Sequence, residues 1–207
     1  MNVNIPATKT NLLKIKRDLS LTRQGYELLD EKRRILMQEL TSVIDSVDLR
    51  QKQVDQALSE AYRLLDRAVA AVGTRRLEEL SFSVDIRSDI SISQRRIMGV
   101  TVPVISLRMR ENPPYYSLYE VNLSVDEAMI KFKEALKALA ALAEKKITLL
   151  RLAEEARRTI RKVNALEKIY IPYYSAAFKY IADRLDEESR DAFALLKLIK
   201  QHKTSQS

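Results

Sequence analysis

Between Pro6 and Val72 the chain has a single glycine, Gly25, and no further proline, and its apolar residues recur every seven positions. One core position of that repeat holds Leu12, Leu19, Tyr26, Arg33, Leu40, Val47, Val54, Ala61 and Ala68. The other holds Ile15, Thr22, Leu29, Leu36, Val43, Arg50, Ala57, Leu64 and Ala71. Fifteen of these eighteen residues are apolar, where the 46% apolar content of the chain alone would give about eight. A pattern sustained over nine heptads predicts a coiled coil, and a strict repeat of seven predicts a left-handed supercoil. Gly73 follows the last core position, where a left-handed C-terminal cap is expected.

The second half repeats the pattern. Ser124 and Glu127 have the spacing of a capping box, with Ser124 as N-cap. From there Val125, Ala128, Phe132, Ala135, Leu139, Leu142, Leu149, Ala153, Ala156, Ile160, Val163, Tyr170, Tyr174, Ala177 and Ile181 hold one register, interrupted only by Lys146 and Glu167. Its many alanines let two helices approach closely. Two helices of ~65–75 residues, each ~100 Å long at 1.5 Å per residue, fold back most simply as an antiparallel hairpin. The expected fold is therefore dominated by α-helix: a long two-helix coiled coil, with both termini at one end. Residue i of the first helix then lies near residue ~196 − i of the second. That level rule brings Arg33 within about a turn of Glu167, where the two seam charges can pair. It also puts Arg50 beside Lys146, two like charges that must either snorkel outward or meet carboxylates supplied by a partner.

The middle differs in kind. "SFSVDIRSDISISQRRIMGVTVPVISLRMRENPPYYSLYEV" is rich in Ile, Val and Ser and alternates with period two. It predicts a β-hairpin with strands near 88–94 and 97–108. Gly99 suggests a bulge, Pro103 an edge strand, and "ENPPYY" a turn before the second helix. A lone two-stranded hairpin is marginal in water, so this one must pack on the helices or on another protein. The expected organisation is a first long helix over 1–76, a middle region with a short helix and the β-hairpin over 77–123, a second long helix over 124–200 and a flexible polar tail over 201–207. Pro172 interrupts "NALEKIYIPYYSAAF", yet the seam register continues on both sides of it and places it on the outer face. One bent helix, not two, is the expectation.

Chemistry is conspicuous by its lack of candidates. The chain has no cysteine and one histidine, His202, in a polar tail. It contains no phosphate-cradling glycine motif and no zinc-ligand spacing. The acidic group Asp183, Asp186, Glu187, Glu188 and Asp191 falls on a helical pattern interspersed with Arg184 and Arg190, which reads as a salt-bridged surface. No catalytic residue, cofactor or metal is expected. The N-terminus shows no signal-peptide pattern, and no apolar run is long enough to span a membrane. The net charge of +8 permits an anionic partner, but acids and bases are interleaved, so a nucleic-acid-binding rod is disfavoured. On periodicity alone, the chain reads as a helical interaction protein.

Three stretches sharpen this. "IPATKTNLLKIKRDLSLTRQGYELLDEKRRIL" combines a Pro-Thr-type start, a Leu-rich helix, and a glycine followed by Leu-Leu and a basic cluster. "RRIMGVTVPVI" is a Gly-Val-x-x-Pro-type strand, and "VNALEKIYIPYYSAAFKYIADRLDEESRDAFALLKLIK" carries Asn-Ala-Leu-Glu, Ile-Pro and Leu-Asp-Glu. Together they resemble the D subunit of the V-type/A-type rotary ATPases, the central rotor shaft. The match departs from the family pattern at Ala7, an insertion, and at Asp30, where the family usually has Lys.

The resemblance implies a non-catalytic coiled-coil axle of an ATPase or ATP synthase. Its terminal end would insert into a hexameric head of alternating catalytic and non-catalytic subunits. Its partners would be that head, a small central-stalk protein (the F subunit), and a coupling subunit on the membrane ring. There would be no nucleic acid and no direct membrane insertion, and the location would be cytoplasmic and peripheral to the membrane. Carried onto this sequence, the head interface would involve Lys9, Leu13, Lys14, Lys16, Arg17, Arg23, Lys197 and Lys200. The small partner would dock at Arg50 and Lys146, and Gly99, Val102 and Pro103 would belong to the membrane-proximal end. A generic coiled-coil adaptor is the alternative.

Overall fold

A computed structural model of the 207-residue chain describes residues 5–84, 86–111, 113, 115–116 and 122–204, with side chains beyond Lys200 and at 199 left aside. Helix α1 runs Lys9–Val72, α2 Thr74–Ser81, strand β1 Ile86–Ile97 and strand β2 Val100–Glu111. Helix α3 spans Leu123–Ala165, and a π-helical turn at Leu166–Tyr170 leads into α4, Ile171–Thr204. This is the expected class: a long antiparallel helical hairpin with a two-stranded antiparallel sheet between its arms. The predicted turn at 111–116 falls partly outside the described residues, as do the last residues of the polar tail and the side chain of His202. The chain forms two compact units, one from residues 1–34 with 157–207 and the other from residues 35–156.

In the second unit, α1 packs against α3. Leu36, Val43, Val47 and Val54 of α1 bury against Leu142, Leu152 and Ala156 of α3. Further along, Tyr62 meets Phe132 edge-to-face at 5.4 Å, and Lys131 approaches Glu60 at 3.8 Å. These pairs obey the antiparallel level rule. In the first unit, Ile15 buries against Ala177 and Ile181 at the same level sum. On α1 the buried residues Leu36, Val43, Val47, Val54, Ala61 and Ala68 keep the strict heptad.

On α3 the heptad fails. The expected seam residue Ala153 is exposed while Leu152 is fully buried, and Thr159 is buried in place of Ile160. Thr148 to Thr159 and Leu152 to Val163 are steps of eleven, the spacing of a straighter or oppositely wound helix. The cluster that holds Leu152 also takes a third element: Ile97 and Val100 of the β-hairpin pack on it.

The helix ends explain themselves chemically. Thr8 caps α1, its Oγ1 accepting from the Asn11 amide at 3.2 Å. Gly73 adopts φ 85° and ψ 149°, a conformation open in practice only to glycine. It is thus not the left-handed cap expected; it breaks the chain between α1 and α2. Helix α3 starts at Leu123, with the Val125 amide donating to the Asn122 carbonyl at 2.9 Å. Ser124 therefore lies inside the helix, its hydroxyl buried with no partner among the described residues, and the predicted capping box does not form.

Pro172 is exposed, as expected, and the chain stays helical through it. The accommodation is the π turn just before it. Proline has no N–H for the Lys168 carbonyl, and its ring crowds that carbonyl. Widening the turn, with the Ile171 amide donating back to the Leu166 carbonyl, moves the obstructed group aside. Tyr170, an expected seam residue, is left half exposed.

The two-residue turn Met98–Gly99 joins the strands, with φ 49° and 81°. Positive φ at both positions is the hairpin turn whose twist matches the strands, so Gly99 makes a tight turn and not a bulge. The strands are longer than predicted, pairing Ile86 with Glu111 through to Ile97 with Val100.

Two outcomes are expected. Leu152→Ala should cost ~2–5 kcal/mol in denaturant unfolding, whereas Ala153→Lys should change it by less than ~0.5 kcal/mol; the heptad register predicts the reverse order. Pro172→Ala restores a donor to the Lys168 carbonyl, so the π turn should revert to α-helix, visible in the backbone chemical shifts of 166–171.

Candidate subunit interfaces

The hairpin is held to α3 by its β2 edge. In the pair flanking the turn, Ile97 with Val100, the main-chain groups point inward, so the groups of Thr101, Pro103 and Ile105 point outward from the sheet. That edge faces α3. The Arg151 guanidinium donates to the Thr101 carbonyl at 2.7 Å, and the Ile105 amide donates to Glu144 Oε2 at 2.9 Å. Pro103 sits between them, where an N–H would otherwise need a third partner. The edge is thus covered by helix side chains, one of the standard protections of a free strand.

The far end of β2 is clamped by charge. Lys133 Nζ donates to Glu111 at 2.8 Å and lies 5.4 Å from the centre of the Tyr115 ring. The hydrogen bond from Lys133 is the main cause that holds the Glu111 carboxyl below its ordinary pKa. Nearby, the Tyr116 hydroxyl donates to Asp126, and burial, reinforced by that bond, pushes the phenol pKa well up.

These contacts locate the predicted residues. Glu111 lies by Lys133, Ile105 by Glu144 and Thr101 by Arg151, so β2 runs antiparallel to α3. The exposed tip at Gly99 therefore lies beyond the Arg151 level, ~40 Å along α3 from its first residue at 1.5 Å per residue. Val102 and Pro103 are buried within the second unit and present no surface. The surfaces near the start of α3 are made instead by α2 and the end of α1. There Leu65, Leu77, Leu80, Val84, Met129 and Phe132 help line an apolar cavity of about 370 Å³.

Arg50 and Lys146 do share a level. Lys146 reaches out to Gln51 Oε1 at 2.7 Å and is exposed, whereas Arg50 is half-buried beside a pocket formed with Lys137 and Lys145. The expected Arg33–Glu167 pair is not among the described ion pairs. Arg33 and Arg34 instead close on Asp30 at 2.5 and 3.1 Å within α1. Asp30 is buried, and i+3 and i+4 neighbours on its own helix reach it without bridging to another element.

In the first unit, Lys9, Leu13, Lys14, Lys16, Arg17 and Arg23 are all exposed on α1, as are Lys197 and Lys200 on α4. Lys16 and Arg23 come together in a groove with Ser175 and Phe178 of α4. The surface is also apolar in a way the charge pattern did not announce. Leu13, Leu21 and Leu28 on α1 and Phe193, Leu195, Leu196 and Leu198 on α4 are each more than half exposed. The signal for Leu21 and Leu28 was present: both are leucines outside the heptad seam. Among the described residues no group of acids and histidines is placed to hold a metal. No helix there is long and apolar enough to cross a membrane.

A chain with two long helices, a hairpin strapped to one of them and surfaces built for contact has the makings of one part of a larger assembly. The family model for the ATP synthase D subunit matches residues 11–201. The chain belongs to the ATP synthase D-subunit family. Its relatives include the A-type ATP synthase D subunit of Thermococcus kodakarensis, 37% identical over 201 residues, covering 96% of this chain and 94% of the relative. The V-type ATP synthase D subunit of Thermotoga neapolitana is 34% identical over 199 residues, covering 96% and 98%. The A-type D subunit of Methanobrevibacter smithii is 38% identical over 199 residues, covering 95% and 86%. The D subunit is by its name one component of an ATP synthase.

Removing the Glu144 carboxylate should loosen the hairpin locally. A hydrogen bond to a charged group contributes ~1.5–3 kcal/mol, so Glu144→Ala should speed hydrogen exchange at the Ile105 amide by about tenfold or more, leaving the amides around Val54 unchanged. The Glu111 clamp titrates with acid. A depressed carboxylate pKa contributes stability above its ordinary value of ~4.3, and that contribution is lost as pH falls through the depressed value. Protection of the amides at the C-terminal end of β2, corrected for intrinsic exchange, should therefore fall below about pH 4, and Lys133→Ala, which removes the largest cause of the shift, should weaken that dependence.

Proposed function

We propose that this chain is the non-catalytic central shaft of a V-type/A-type ATP synthase, coupling ATP turnover in the catalytic head to rotation of the membrane ring. Membership of the D-subunit family along nearly the whole chain carries the reading. The long helical pair supports it, because torque needs an element that resists twisting. The head would hold the terminal end, where exposed Lys9, Lys14, Lys16, Arg17 and Arg23 lie beside Leu13, Leu21 and Leu28. Apolar contact lets a shaft turn against a sleeve without breaking fixed ion pairs, while the cations favour carboxylates at particular angles. Coupling requires such angle-dependent contact, since a shaft that met every head conformation equally would shift none of them. A small stalk protein and a ring-side coupling protein complete the proposed set of partners, and the complex places the chain peripheral to the membrane on the cytoplasmic side.

The test is ATP hydrolysis by the purified head with and without this chain and the small stalk protein, with binding measured in parallel. The chain should enter at one copy per head and change turnover, and simultaneous charge reversal of Lys14, Lys16 and Arg17 should weaken assembly or coupling. A competent head that neither binds the chain nor changes its rate would rule the shaft out.

A further inference from the structure

We infer that the β-hairpin face carrying Ile90 and Ile92, together with the cationic pocket at its foot, docks an acidic–apolar segment of another protein of the same complex. The inference rests on membership of the D-subunit family and not on the shaft role.

The strand register sorts the side chains. Ile90 lies opposite Leu107 and Ile92 opposite Ile105, so these four share one face of the sheet. The opposite face carries Asp89, Ser91, Ser93 and Arg95 on β1 and Val104, Val102 and Val100 on β2, of which Val102 is buried. On the Ile90 and Ile92 face the covering is incomplete. Here only the β2 half is partly covered. Ile90 and Ile92 are 62% and 67% exposed, two β-branched side chains held side by side in water.

Ile105 and Leu107 have a second role. They form one wall of a pocket of about 270 Å³, completed by Arg50, Lys137, Ala140, Ala141, Glu144 and Lys145. Three cations thus surround one carboxylate, and that carboxylate already accepts the Ile105 amide. Arg50, Lys137 and Lys145 take part in no ion pair among the described residues. Lys146, at the same level, satisfies its ammonium on Gln51 and stays outside the pocket. The alanines give the concavity a low floor, and positive charge in a concave site with apolar walls focuses its field on an incoming anion.

Each half of this surface narrows the occupant. Surplus positive charge calls for an anion, and the isoleucine ladder beside it calls for large apolar side chains. A free phosphate satisfies the first and leaves the second in water. A protein segment with an Asp or Glu a few residues from apolar side chains satisfies both, and a complex of several different chains supplies such segments.

The assembled complex provides the test. A photoreactive residue replacing Ile92 should cross-link to one segment of another protein in the complex, with a carboxylate within about a turn of large apolar residues; the same residue at Ser93, on the opposite face, should not. Lys137→Glu with Lys145→Glu should cut that yield about tenfold, and the Lys→Arg pair should preserve it. A wild-type chain that never enters the complex would overturn the family-based reading, and this inference with it. A chain that enters normally overturns the inference alone if Ile92 reaches no other protein, if the segment reached has no acid, or if charge reversal leaves the yield unchanged. Inorganic phosphate bound by the isolated chain at Lys137 and Lys145, without any cross-link, would mark a simple anion site instead.

Discussion

Close approach of two helices along a seam of small residues is the constraint from which the rest follows. Ala61, Ala68, Ala128, Ala135, Ala156 and Ala177 are all buried, alongside Val43, Val47 and Val54. Alanine buries little apolar area, at roughly 25 cal/mol per Å², so no single level of the seam contributes much. What small residues provide is proximity, with backbones near enough for valines and leucines to interleave at every turn. The few large buried residues, Leu36 and Leu152 among them, then mark the levels where extra elements gather.

The hairpin is the largest of those additions, and it is attached by polar chemistry at an edge as well as by packing. Its β2 edge offers a carbonyl at Thr101, no donor at Pro103 and an amide at Ile105, and α3 answers with Arg151 and Glu144. The tip adds Ile97 and Val100 to the helical core. One strand is thereby committed to the protein's own interior, while β1 remains exposed along almost its entire length. A fold that covers one edge and leaves the other open, with isoleucines on the open side, has distributed its surface between self-assembly and assembly with others.

The proline and the π turn show a helix absorbing an obstruction without ending. Ile171 takes an i−5 carbonyl just before Pro172, which has no donor to offer. Tyr170, inside the widened turn, is left half exposed, while Val163 before it and Ala177 and Ile181 after it stay buried on the expected seam register. The same logic governs Gly73, whose φ of 85° separates α1 from α2.

The sequence by itself determined the helical class, the antiparallel levels and the existence of the hairpin. These depend on periodicity, on breakers and on counting along a chain, all of which are local properties. The heptad on α1 was legible because its buried apolar residues keep to one stripe of that helix. On α3 it was not legible: the hairpin tip joins the core that holds Leu152, and no periodicity in a single segment encodes a third body. The partners of Asp30, Arg33 and Glu144 likewise waited on the tertiary structure, since several cations and donors lie within reach in one dimension and only packing selects among them. Arg50 drew notice as a charge in a seam. That it stands with Lys137 and Lys145 around a pocket walled by Ile105 and Leu107 was decided by the docking of β2 on α3, which brings together residues as far as 95 positions apart.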